Sequence, residues 1–226
     1  ILMLSGIGPA AHLKDRGIDV VADRGAVGTD LQDHIDYVSS WETRSTDPFG
    51  DSLPGTWRMV KAILEHRTKR SGIMTTCFAE AGGFWKSRPD LPAPDIQYHF
   101  VPAMLEDHGR AKVKGHGFSV HACVLRPESR GSVTLASGDA AAAPLVDPAF
   151  LSDPDDLQRL VRGVRRMREI LAQPALARLG ARELPHSARA QSDAQIEQFI
   201  RDWADTIYHP VGTCRMGPGP LDVVDS

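Results

Sequence analysis

Apolar positions along this chain follow two periods, and the switches between them mark its organisation. An apolar run, Ile1 to Leu4, leads into Gly6-Ile7-Gly8, a short helix-like stretch and a β-branched run ending in Asp23. A polar, turn-rich segment covers Tyr37 to about Pro54. In "TWRMVKAILEHRTKR", Trp57, Val60 and Leu64 then fall at helical spacing, with basic residues in the last turn and Ser71-Gly72 as the stop. The middle of the chain changes to period two. Ile96, Tyr98 and Phe100 alternate with Gln97 and His99, and Phe118, Val120, Ala122 and Val124 share one face of "GFSVHACVL". "GSVTLAS" predicts a third strand, and strands this close without intervening helices predict an antiparallel sheet. Helical spacing then returns twice. Asp153 and Pro154 open a helix with the stripe Leu157, Leu160, Val161, Val164, Met167 and Leu171. Ser192 and Gln195 form a capping box ahead of Ile196, Phe199, Ile200, Trp203 and Ile207. The fold class is α+β.

Composition narrows the function classes. The 226 residues are 42% hydrophobic and 24% charged, as in an ordinary globular protein with a real core. A net charge of −3 supplies no basic field for broad nucleic-acid binding. No apolar run reaches the ~20 residues of a membrane helix. Cys77, Cys123 and Cys214 are sparse, odd in number and far apart, which fits reduced thiols in a cytoplasmic setting. The chain opens without Met inside an apolar run and stops at "VVDS", so a piece of a longer protein is expected.

The candidate chemistry centres on "YHPVGTCRMG". Pro210 disfavours helical geometry at His209, which predicts an imidazole just past a helix C-terminus, where the dipole supports its protonated form. A plain helix-stopping His-Pro turn is the competing reading. Gly6-x-Gly8-x-x-Ala11 with Asp23 resembles a dinucleotide loop in letters, but only two turns of helix follow and Pro9 removes an amide donor. A tight turn into a short helix is expected instead. Five arginines between Arg159 and Arg168 fall mostly off the apolar stripe and predict a solvated face. His99 and His121 are expected on one sheet face, without the further ligands a metal site needs. Zinc, serine-hydrolase and Walker motifs are absent from the sequence.

Taken together, several segments resemble the flavin-dependent glucose–methanol–choline (GMC) oxidoreductases. "ILMLSGIG" resembles the end of that family's second signature, and "VGTDLQDH" (Val27 to His34) its V-G-x-N-L-x-D-H stretch, with Asp30 where Asn is usual. "FAEAGGF" and "HPVGTCRMG" also match. "GHGFSVHACVLRPESRGSVTLAS" with "PLVDPAFLSDPDDL" is similar to the choline-dehydrogenase and bacterial alcohol-dehydrogenase branch. The resemblance implies an antiparallel-sheet substrate domain with flanking helices over residues 37–191. Residues 1–36 and 192–226 would be incomplete pieces of an α/β FAD-binding domain, and Ile1 to Leu4 the tail of a helix. It implies FAD as cofactor, His209 as the catalytic base, Tyr208 as a substrate-side aromatic wall, and Asp30, Gly212 and Thr213 as cofactor-contacting candidates. The implied reaction is oxidation of a primary alcohol to an aldehyde by hydride transfer to flavin N5, with a quinone or oxygen as electron acceptor. A choline-specific dehydrogenase and a non-catalytic GMC-derived interaction module stand as alternatives. The implied setting is bacterial and cytoplasmic, or peripheral to the inner membrane. The family's glycine-rich loop and second catalytic residue would lie outside these 226 residues, so the chain alone is expected to be inactive.

Overall fold

A computed structural model describes residues 1–106, 113–219 and 222–225. Its first elements are β1 (Ile7–Gly8), α1 (Ala10–Asp15), β2 (Ala22–Asp23), β3 (Ile35–Thr43), β4 (Gly50–Asp51), α2 (Leu53–Lys69), β5 (Ala81–Trp85), β6 (Ile96–Val101) and β7 (Gly115–Val124). These are followed by β8 (Ser132–Thr134), β9 (Leu145–Asp147), α3 (Pro154–Leu171), α4 (Pro174–Ala177), β10 (Arg182–Glu183), α5 (Pro185–Ala188), α6 (Asp193–Trp203) and β11 (Asp205–Thr206). They form two compact units. Ile1–Ile35, Arg126–Asp156 and Thr206–Ser226 make one, and Asp36–Leu125 with Leu157–Asp205 the other. These units cut the chain differently from the blocks 1–36, 37–191 and 192–226, because 126–156 joins the first unit and α6 the second.

In the first unit Met3–Ser5 form a 3-10 turn where the resemblance implies the tail of a helix, and β1 and β2 pair in parallel across the six-residue α1. The resemblance to a nucleotide loop ends there. Asp23 Oδ1 accepts the Ala10 N–H at 3.0 Å, so the chain's own carboxylate occupies the helix N-terminus where a phosphate would sit. Gly6 is required by packing: at φ +80° a Cβ would lie 2.5 Å from the Asp19 carbonyl oxygen. Met3, Leu13 and Val27 form the core of this part, with Ile18, Val20 and Leu135 against them. The strand expected at "GSVTLAS" exists as β8, but it pairs with β9 in a small sheet of its own and is absent from the main sheet. Its residues bond instead to the segment before His34: Val133 N–H donates to the Gly28 carbonyl at 2.7 Å, and Leu31 and Gly131 bridge each other.

The second unit is the expected antiparallel sheet, in the order β10-β3-β7-β6-β5, with β4 on β7. β7 is its central strand and is buried on both faces. Register puts Tyr37, Ala122 and Tyr98 side by side on one face, and Val38, His121 and His99 on the other. The first face packs on α3, whose predicted stripe from Leu157 to Leu171 is at most 6% exposed. The Tyr98 hydroxyl donates to the Gly163 carbonyl at 3.0 Å, and burial raises both the Tyr98 and Tyr37 phenols well above their ordinary value. The second face is more polar. His121 Nδ1 and Asp36 Oδ2 lie 2.6 Å apart there, and the His99 and His121 rings are 6.4 Å apart.

Four local expectations change. The segment from Tyr37 to about Pro54 is not all turn: Tyr37 to Thr43 belong to β3, largely buried, and pair along the central β7, where backbone pairing offsets their polar side chains. Of the five arginines on α3 only Arg165 and Arg166 are exposed. Arg159 is buried, and Arg168 donates to Glu183 Oε1 and to the Ser187 and Ala190 carbonyls at 2.6–3.0 Å, so this helix face is partly structural. The Trp57–Val60–Leu64 stripe of α2 faces outward, and Ala62 on the other side is the buried residue. Finally, α6 starts at the predicted Ser192–Gln195 capping box but stops at Trp203, because Ala204 turns extended (ψ 144°) and β11 follows.

Candidate active site

His209 lies in the first unit, and its position follows from Asp33. Asp33 is 8% exposed, and its Oδ1 accepts the backbone N–H groups of His34 at 2.8 Å and His209 at 2.9 Å. Its Oδ2 accepts the Thr206 hydroxyl, and Thr206 Oγ1 in turn accepts the Tyr208 N–H at 2.7 Å. The Ile207 N–H donates to the His34 carbonyl at 3.1 Å, and Gln32 and Val211 exchange backbone hydrogen bonds. These bonds hold residues 206–211 along residues 32–34. Tyr208 sits at φ +65°, a left-handed conformation that a bulky residue adopts only where its surroundings impose it.

The consequence is a histidine pair. Nδ1 of His209 lies 3.1 Å from Nδ1 of His34, with the rings perpendicular at 86°. One nitrogen must carry the hydrogen and the other accept it, so the two tautomers are complementary. When His209 donates through Nδ1, its Nε2 keeps a lone pair and can take a proton. His209 is an exposed residue and Tyr208 beside it is 65% exposed, so both side chains are presented outward rather than packed in a core. The expected support from a helix C-terminus is absent: α6 ends six residues before His209, outside the reach of its dipole. The partner that matters is His34, which the sequence reading passed over although it closes the quoted "VGTDLQDH" stretch.

The cofactor candidates are accounted for within the chain. Asp30 adopts φ +62° and forms ion pairs with Arg130 at 3.0 Å and Arg215 at 3.6 Å, so its charge faces two guanidinium groups. Arg215 also bonds Asp222, which holds the Asp222 carboxyl below its ordinary value. Gly212, at φ +103°, has room for no Cβ, which would lie 2.0 Å from the Asp30 carbonyl oxygen. The Thr213 carbonyl accepts the Gly28 N–H at 2.9 Å. Among the described residues no group of three or more His, Cys, Asp or Glu side chains is arranged to hold a metal ion. Nor is any described helix long and apolar enough to cross a membrane.

Residues 127–226 match a family model described as GMC oxidoreductase. Over its whole length the chain is 43% identical to an alcohol dehydrogenase [acceptor] of Pseudomonas putida and 42% identical to an oxygen-dependent choline dehydrogenase of Rhizobium etli. It spans 41% of the length of each of these relatives. Among solved structures it is similar to pyridoxine 4-oxidase from Mesorbium loti, with a TM-score of 0.75 and 27% identity over all of this chain and 40% of that one. A formate oxidase of Aspergillus oryzae RIB40 shares the fold, with a TM-score of 0.84 and 24% identity over 95% of this chain and 42% of that one.

Proposed function

We propose that this chain carries the proton-handling part of an FAD-dependent enzyme that oxidises a primary alcohol to its aldehyde. In this reading residues 1–36 and 192–226 serve the flavin-binding domain and 37–191 the substrate domain. The observation that supports it is the His209–His34 pair, fixed by Asp33 and presented outward. His209 Nε2 accepts the alcohol's hydroxyl proton, and the imidazolium so formed keeps its Nδ1–H on His34, now as a charge-assisted hydrogen bond. Bound FAD supplies the acceptor, at its N5, for the hydride that leaves the alcohol's α-carbon. Tyr208 offers an aromatic wall next to the reacting group.

The donor set of the pair fits a place beside a redox cofactor, and Asp30, Gly212 and Thr213 stand as candidates to contact it, Asp30 through a segment fixed by Arg130 and Arg215. The family's glycine-rich loop would lie outside these residues, so the 226-residue chain alone is expected to purify without visible flavin absorbance. In the assembled enzyme His209→Ala should lower kcat by about 10²–10⁴-fold while flavin stays bound; unchanged turnover would remove His209 from the reaction. The internal satisfaction of Asp30 and Gly212 also favours a second reading, a binding module without redox chemistry. An assembled protein that never takes up flavin would decide for it. A choline-specific enzyme is the narrower version suggested by the Rhizobium relative's name, and comparing kcat/KM for choline and an uncharged aliphatic alcohol separates the two.

A further inference from the structure

The more polar face of the sheet holds a buried pair that the chemistry above does not use. Asp36 is 1% and His121 9% exposed, and His121 Nδ1 donates to Asp36 Oδ2 at 2.6 Å. In the neutral ring Nε2 is then the acceptor, and it is buried without a hydrogen-bond partner among the described residues. Buried acceptors are rarely left so, because each gives up water without recovering a bond.

His121 forms part of the wall of a cavity of about 560 Å³ that lies wholly within the second unit. Asp36 is not part of that wall, so the ring turns its Nδ1 edge away from the cavity and the edge bearing Nε2 toward it. The neighbouring Ser40 is occupied: its hydroxyl donates to the Leu105 carbonyl at 2.7 Å and accepts the Leu105 N–H at 3.1 Å. Elsewhere the wall combines carboxylates with rings. Glu106, Asp202 and Asp205 contribute to it, with no Lys or Arg among the described wall residues. The His186 ring stands edge-on to Phe199 and Trp203, at centroid distances of 5.0 and 4.5 Å, so aromatic surface lies beside the acids.

We propose that this cavity binds an organic ammonium ion that bears at least one N–H. The N–H donates to His121 Nε2, the three wall carboxylates and the buried Asp36 supply the opposing charge, and Phe199 and Trp203 the cation–π contact. The volume falls in the range of roughly 300–1,000 Å³ usual for ligand cavities. A carboxylate or phosphate would meet like charge here, and a quaternary ammonium has no hydrogen for Nε2. The chain spans 41% of the length of its relatives, so a lysine or arginine side chain from outside these residues is the competing occupant. The test therefore uses the full-length protein, and it reads binding rather than turnover, which keeps it separate from the reaction proposed for His209.

In isothermal titration calorimetry n-butylammonium chloride is expected to fill one saturable site. Tetramethylammonium chloride, which carries the charge but no N–H, should bind about tenfold more weakly or worse, and sodium butyrate should not bind. His121→Gln, which keeps an N–H for Asp36 but removes the imidazole Nε2, should weaken n-butylammonium binding by about tenfold. Asp202→Asn, at an exposed position, should weaken it by about two- to fivefold, and it decides the matter if His121→Gln does not fold. No saturable binding, the result a resident lysine or arginine would give, overturns the proposal. So do equal affinities for the two cations, or n-butylammonium binding that is unchanged in the variants that fold.

Discussion

Asp33 takes three donors, two backbone N–H groups and a hydroxyl, and both histidines of the pair owe their positions to it. Removing it leaves those donors without their common acceptor. Asp33→Ala is therefore expected to destabilise the protein by about 1–3 kcal/mol in chemical denaturation. It should also abolish the hydrogen bond between the two Nδ1 atoms, visible as a change of tautomer in ¹⁵N spectra of the imidazoles. His34→Ala separates positioning from structure. The His209 backbone stays on Asp33, yet His209 loses the acceptor that fixes its tautomer, so turnover of the assembled enzyme should fall with a changed pH profile and an unchanged melt. At this scale His209 was legible, since Pro210 and the motif around it single out the imidazole. His34 and Asp33 were printed in the same quoted stretch but could not be assigned, because no local periodicity relates residues 33 and 34 to residues 206–209. Asp30 was singled out as a cofactor-contacting candidate, and its partners Arg130 and Arg215, remote in sequence, could not be read with it.

At the scale of elements, what repeats along the chain was readable and what depends on neighbours was not. The stripes of α3 and α6 and the alternation of β6 needed only a period: the structure buries the α3 stripe, Ile196, Phe199 and Ile200 of α6, and Ile96 and Tyr98 of β6, while Trp203 is left exposed. Leu160→Ala, at a fully buried position of α3, is expected to cost about 2–5 kcal/mol, measured by urea unfolding. Ser192→Ala should remove the cap of α6 for about 1 kcal/mol. Periodicity says that α2 has an apolar stripe but leaves open which way the stripe faces; Gly55, Met59 and Ala62 on the opposite side are the less exposed residues. The end of α6 was misjudged because Trp203 and Ile207 keep helical spacing, although Ile207 has already left the helix to donate to the His34 carbonyl.

For the molecule as a whole, the two buried phenols set a limit at high pH. Tyr37 and Tyr98 ionise far less readily in the folded chain than in the unfolded one, where a phenol titrates near pH 10. Their contribution is complete below that pH and is lost as pH rises above it, because only the unfolded chain gains by releasing the protons. Denaturant midpoints should thus decline between about pH 9 and pH 11, and less steeply in a Tyr98→Phe variant. The antiparallel sheet and the α+β class were open to inspection in the sequence. The division into units was not, since it depends on hydrogen bonds such as Gly28 to Thr213 that join distant segments.

The separation of His34 from His209 also affects the birth of the protein. The two imidazoles are 175 residues apart, and almost the entire second unit is encoded between them. At ribosomal speeds of about 5–20 residues per second, Asp33 and His34 emerge roughly ten seconds or more before their partners exist. During that interval a nascent chain can complete the sheet and α3, but the Asp33 carboxylate has none of the Thr206 and His209 donors it will later accept. Closing so long a loop comes late and slowly, so the histidine pair is assembled only after the second unit has been made. A ribosome-bound chain halted shortly before residue 206 should show a protease-resistant sheet and no protection around His34.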